Sequence, residues 1–360
     1  MKKKCLLITG GTGGHVVPAN NLANYLLKKN LNCNIIVDKR GFKYINNFIG
    51  KVHIINSSNL YGNFISKVIG SLNLFIGFLQ SFFVILILKP KIVISFGSYA
   101  SFFPMLSCIL LKPFYRIDIY IHEQNSVLGR TNKFFINFVN KLFLNFDTKS
   151  SLNQKYHHKT FIVGSPERNK VNNKLNKIKK NNKKFTIFIF GGSQGSQYIT
   201  DFSIKLIKKI NKENIINAKF IMQCPKNMKK IISDELNTID PTIIIKEYYH
   251  NIEEILNNSS VVISRAGAGS INDIINFKLP SILIPLPTAK DNHQFHNASI
   301  LSNHEVSIIV DQNINEIDKE KKYIYEIHND IKKIELNNNK FDKIKVKNSN
   351  SLIYKLVCNE

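Results

Sequence analysis

The chain has 360 residues, 44% hydrophobic and 21% charged, which excludes a disordered chain and fits two domains of roughly 100 to 200 residues with real cores. Lys and Arg number 50 against 25 Asp and Glu, for a net charge of +25. Lys, Asn and Ile crowd together, as in NNKLNKIKKNNKK, so the excess is read as compositional drift: no nucleic acid is expected, only a preference for phosphates and an anionic membrane surface.

From the N-terminus, MKKKCLLITGGTGGH starts with the basic residues of a secretion signal, but its apolar run ends in glycines well short of the roughly 7 to 15 residues needed. Segment 5–9 (CLLIT) therefore reads as a strand, residues 10–14 as a glycine turn, and NNLANYLLKKN as a helix with Leu22, Tyr25, Leu26 and Leu27 at helical spacing. Further strands are predicted at 34–37, 52–55, 92–95 and 117–121. The most hydrophobic stretch, 64–88, is long enough to span a membrane, but Ser66, Gly70, Asn73, Gly77 and Gln80 form a small and polar stripe along one helical face. That pattern favours a buried core helix, or one that also docks on a membrane surface, over a span. Lys67 and the KPK at 89–91 supply a basic flank.

Residues 164–184 are polar and basic, as a linker is. Beyond them the opening pattern returns: FTIFIF at 185–190, the turn GGSQGS, and a helix over 199–211 with Ile199, Phe202, Leu206 and Ile210 on one face. Strands follow at 219–222, 242–246, 261–264 and 281–284. The reading is an α/β fold of two doubly wound domains, 1–163 and 185–345, with a C-terminal helix in 346–360 packing back on the first domain. Loops at the carboxyl ends of the strands are then expected to face a common cleft. Five Cys at 5, 33, 108, 224 and 358 are scattered and form no CxxC pair, which indicates neither a disulfide framework nor a zinc site and fits a reducing compartment.

The turns carry the chemistry. Thr12, Gly13 and Gly14 lie between strand and helix, where backbone amides approach an anion. His15 follows at the positive end of the helix dipole, which favours the neutral imidazole and makes it a general-base candidate. Residues 191–195 add Ser193 and a Gln to the same geometry, and SRAGAG at 264–269 leads into Ser270, Asn272 and Asp273, a carboxylate suited to ribose hydroxyls. There is no GxGxxG with an acidic ribose ligand in the first half, no P-loop and no DxD, which weighs against an oxidoreductase or P-loop kinase and leaves no metal or cofactor indicated.

Together GGTGGHVVPA, IHEQNSVLGRTNK at 121–133, FGGSQGS at 190–196 and PLPTAKDNHQFHNA at 285–298 resemble the MurG family of peptidoglycan N-acetylglucosaminyltransferases over nearly the whole chain, the linker and last residues excepted. The resemblance implies a GT-B fold of two Rossmann-like domains with the active site in the interdomain cleft. It implies inverting transfer of GlcNAc from UDP-GlcNAc to the C4 hydroxyl of MurNAc in undecaprenyl-diphosphate-MurNAc-pentapeptide, by a peripheral enzyme on the cytoplasmic face of the bacterial plasma membrane. Another UDP-sugar transferase with a different acceptor is the alternative. It implies His15 as the base and, as donor contacts, Thr12, Gly13, Gly14, Asn125, Arg168, Ser193, Tyr249, Ala268, Gly269, Ser270, Ile271, Asn272, Asp273 and Gln294. The sequence departs from the family at GSPER, which sets Glu167 beside Arg168, at Asp273 in place of Glu, at GSYASFFP over 97–104 in place of GGYxSGP, and at Tyr249 in place of a small aliphatic residue, where a ring is expected to stack on uracil.

Overall fold

The computed structural model describes residues 3–58, 63–166, 185–191, 195–213, 216–247, 249, 252–312, 317–329, 339–346 and 348–358. The chain forms two compact units, Met1–Lys170 with Val346–Glu360, and Val171–Lys345.

The first unit is built on a parallel sheet of β1 (Lys4–Ile8), β2 (Asn32–Asp38), β3 (Lys51–Ile55), β4 (Ile92–Ser95), β5 (Asp118–Glu123), β6 (Lys141–Leu144) and β7 (Thr160–Ile162). Their order in space is β3-β2-β1-β4-β5-β6-β7. The central strands are continuous apolar runs because helices cover both faces, the pattern parallel sheets require. On one face Gly13–Lys28 buries Val16, Ala19, Leu22 and Leu26, and Ser349–Cys358 adds Ile353 and Val357 to the same cluster. On the other, Leu6, Ile8, Val93 and Ile119 meet Ile85, Met105 and Phe135. The sheet reverses direction of growth at β1, which pairs with β2 on one side and β4 on the other.

The second unit repeats the plan with β8 (Phe185–Phe190), β9 (Ala218–Gln223), β10 (Ile244–Lys246), β11 (Val261–Ser264), β12 (Ser281–Leu283) and β13 (Ser307–Ile309), ordered β10-β9-β8-β11-β12-β13. Helix Gln197–Lys212 lays Ile199, Phe202, Leu206 and Ile210 on this sheet, the face read from the sequence. Strands β6, β7 and β13 went unpredicted; each has only three or four residues.

Helix Phe64–Leu88 packs with its small residues inward. Gly70, Gly77, Ser81 and Ile85 are its buried positions, and Gln80 accepts the Asn56 amide at 2.8 Å. A Cβ on Gly77 would fall 2.0 Å from the Asn56 carbonyl oxygen, so glycine is what allows this approach. The large apolar residues point outward: Phe64, Ile69, Phe75, Phe83 and Ile87 are all exposed.

Candidate functional site

In the first unit the candidate residues gather at the carboxyl edge of the sheet, where β1 lies between β2 and β4. Gly11 turns the chain at φ 77°, a conformation that favours glycine. Thr12 is exposed and extended, helix Gly13–Lys28 begins beside it, and Gly13 and Gly14 are half-buried. His15 sits in the first turn with Nδ1 2.8 Å from the Phe96 carbonyl, in the segment after β4. A carbonyl only accepts, so Nδ1 donates the proton and Nε2 carries the basic lone pair of the neutral ring. The bond fixes both tautomer and orientation, as a general base requires.

Phe96 stacks on His122 at 5.1 Å. His122 is fully buried; its Nε2 donates to the Gly164 carbonyl at 2.8 Å and its Nδ1 accepts from the Gln124 amide. Burial lowers its pKa to about 4, so it is a neutral core histidine. The next residue, Glu123, is also buried. One carboxylate oxygen accepts the Asn125 backbone N–H at 2.9 Å and its side-chain amide at 3.2 Å; the other accepts from Gly129 at 2.9 Å and Asn132 at 2.8 Å. The Asn125 carboxamide is thus aimed by Glu123, at the same edge as the His15 loop.

In the second unit, Gly191 directly follows β8, where a Cβ would lie 2.5 Å from the Ser196 amide nitrogen, and Gly195 turns at φ 73°. Glu167, Arg168, Gly192, Ser193 and Gln194 lie outside the described residues. Helix Ala268–Phe277 starts after β11 with Gly267 as N-cap and no side-chain cap, leaving its first amides suited to an anion. Ala268 and Ile271 are buried and pack the helix down, while Gly269, Ser270, Asn272 and Asp273 are half-buried on its first turns. Gln294 accepts the Leu286 amide at 3.0 Å and so holds the loop after β12. Tyr249 is turned into the unit: its ring meets Phe188 edge-on at 5.7 Å, and its hydroxyl lies 3.2 Å from the carbonyls of Met222 and Ile244. Burial raises its pKa to about 12, and in this arrangement the ring packs strand ends rather than standing free to stack on a base.

Arg265 escaped the sequence reading. Its buried guanidinium donates to Ile284 O at 3.0 Å, Pro285 O at 3.2 Å, Gln312 Oε1 at 2.9 Å and Ser196 Oγ at 2.9 Å. Loops following β8, β12 and β13 are thereby tied to the residue after β11. The SRAGAG motif showed the arginine, but its four partners are remote in sequence.

Residues 5–144 match the glycosyltransferase family 28 N-terminal domain and residues 186–353 the C-terminal domain of that family. Among curated proteins, the UDP-N-acetylglucosamine--N-acetylmuramyl-(pentapeptide) pyrophosphoryl-undecaprenol N-acetylglucosamine transferase of Rickettsia canadensis is 33% identical over 319 residues, 86% of this chain and 86% of the relative. The protein of the same description from Rickettsia bellii is 31% identical over 330 residues, 90% of each. Among solved structures, MurG of Acinetobacter baumannii superposes with a TM-score of 0.76 at 19% identity, covering 100% of both chains, a likeness of fold.

Proposed function

This chain belongs to glycosyltransferase family 28, and we propose that it moves GlcNAc from UDP-GlcNAc to the C4 hydroxyl of MurNAc in undecaprenyl-diphosphate-linked MurNAc-pentapeptide. The observation that carries the chemistry is the His15 to Phe96 bond, which presents Nε2 as a base of fixed direction. In this reading His15 takes the proton from the acceptor hydroxyl as that oxygen attacks the anomeric carbon from the face opposite UDP, inverting the centre. The first turn of Ala268–Phe277, with Arg168 and Ser193, stabilises the charge growing on the departing diphosphate. Asp273 and Asn272 take the ribose, and Gln294 and Asn125 the sugar hydroxyls. Thr12, Gly13 and Gly14 complete the donor contacts from the first glycine turn.

The outward apolar face of Phe64–Leu88 supports a second part of the proposal, that the first unit docks on an anionic membrane surface. Exposed Lys67, Lys89 and Lys91 flank it. The five cysteines are free thiols, in keeping with work on the cytoplasmic side.

The test is UDP release from UDP-GlcNAc with and without the lipid-linked acceptor. Release is expected to depend on that acceptor, and His15→Ala to lower kcat by about 100-fold to 10,000-fold with the donor KM little changed. Acceptor-independent release, or equal losses in kcat and donor affinity, would overturn the assignment; preferential use of another acceptor in competition would redirect it.

A further inference from the structure

Asp38 ends β2, the place where dinucleotide-binding sheets offer an acidic residue to a ribose. Here the side chain is turned inward and is 1% exposed. Its Oδ1 accepts the amide protons of Gly11 at 2.7 Å and Gly41 at 3.0 Å. Its Oδ2 accepts the hydroxyls of Ser57 and Tyr99, each at 3.1 Å, and faces Arg40 Nε at 3.6 Å. One carboxylate therefore gathers the segments that follow β1, β2, β3 and β4. The glycines around it leave the room: a Cβ on Gly10 would lie 2.8 Å from Oδ1 and 2.6 Å from Ala100 Cβ, and one on Gly41 would lie 2.8 Å from the same oxygen.

We propose that Asp38 is a positioning residue for His15, a ribose-type acid converted into a brace for the glycine turn. The turn is held from both neighbours of β1: from β2, Asp38 fixes the Gly11 amide, and from the segment after β4 the Phe96 carbonyl fixes the His15 ring. Only Thr12, Gly13 and Gly14 separate Gly11 from His15, so a shift at Gly11 passes directly into the direction of Nε2. Arg40 balances the buried charge and extends over the Tyr99 ring at 4.9 Å, which closes the brace on its solvent side. The Gly11 N–H is consumed by this contact and is not offered to a bound phosphate. Asp38 touches no reacting atom; it acts through the loop.

This inference rests on the reading of His15 as the base, and the experiment keeps the two apart. In the full chain, Asp38→Ala removes the acceptor for both glycine amides, whereas Asp38→Asn retains Oδ1 for them. Three quantities are compared: acceptor-dependent kcat, donor KM, and hydrogen exchange of the peptide over 10–16 with that over β5 and β6 as reference. Asp38→Ala is expected to lower kcat about 100-fold, the scale of a catalytic group misplaced by about 1 Å, with donor KM within about threefold. Exchange over 10–16 should rise about tenfold while β5 and β6 stay protected, and Asp38→Asn should recover most of both. Should the alanine variant not fold, Asp38→Ser, too short to reach Gly11, takes its place. Exchange at the wild-type level over 10–16, an Asn variant as poor as the Ala variant, or a kcat loss matched by an equal loss across β5 and β6 would overturn the proposal. A wild-type chain that releases no acceptor-dependent UDP would overturn the transferase reading, while the exchange comparison would still decide whether Asp38 holds the turn.

Discussion

Ser98 stands at φ 76° and ψ 160°, a backbone region that belongs almost wholly to glycine and costs a side-chain-bearing residue on the order of 1 to 3 kcal/mol. Its hydroxyl accepts the Ala100 amide at 3.2 Å, which offsets part of that cost. Ser98→Gly is therefore expected to raise stability by about 1 kcal/mol, read as a higher urea midpoint; a lower midpoint would mean that the hydroxyl contact outweighs the strain. The departure of GSYAS from GGYxS was visible in the sequence, but its consequence lies in a dihedral angle. His15 was legible for a local reason, a lone histidine closing a glycine turn. Asp38, Glu123 and Arg265 were not, because an acidic residue at a strand end or an arginine in a loop reads as surface until the loops that surround it are placed. Partners such as Tyr99 for Asp38 and Gln312 for Arg265 lie tens of residues away, and those of Glu123, though within nine residues, meet it only once the loop after β5 folds back.

Among elements, the long apolar helix separates two effects that usually go together. Its inward face is tight, and Gly77→Ala drives a Cβ against backbone, so a loss of about 1 to 3 kcal/mol is expected in the urea midpoint. Its outward face makes few contacts, so the double change Phe75→Ser and Phe83→Ser is expected to leave that midpoint unchanged while weakening sedimentation with anionic vesicles. A fall in stability without a change in vesicle binding would remove the membrane role. The small and polar stripe was readable from the spacing of Gly70 and Gly77; that it faces the protein rather than water was not, since a helical repeat gives faces but not partners. The strands show the same division. Runs such as CLLI and IFIF announce themselves by being apolar throughout, whereas β7 and β13 take their identity from the neighbour they pair with.

For the whole molecule, the repeated strand–turn–helix opening was enough to indicate two parallel sheets, and both reverse their order at the strand that carries a glycine turn. Acid sensitivity of the first unit follows from His122, fully buried between Phe96 and Gly164. With its pKa at about 4 in the fold against about 6.5 in the unfolded chain, nothing is lost above about pH 6.5. Between the two values the unfolded chain takes up a proton that the fold refuses, and stability falls as the pH drops, by about 3 kcal/mol in all. The urea midpoint should show this slope from pH 7 to pH 4.5, and His122→Gln should flatten it; an unchanged slope would assign it to other groups. The C-terminal helix carries a different kind of consequence. Ile353 and Val357 sit in the core laid down by Gly13–Lys28, while Val171–Lys345 is continuous along the chain. A ribosome thus delivers every strand of the first unit before Val171–Lys345 but withholds its closing helix until that whole second unit has been made, so the portion synthesised second is free to mature first.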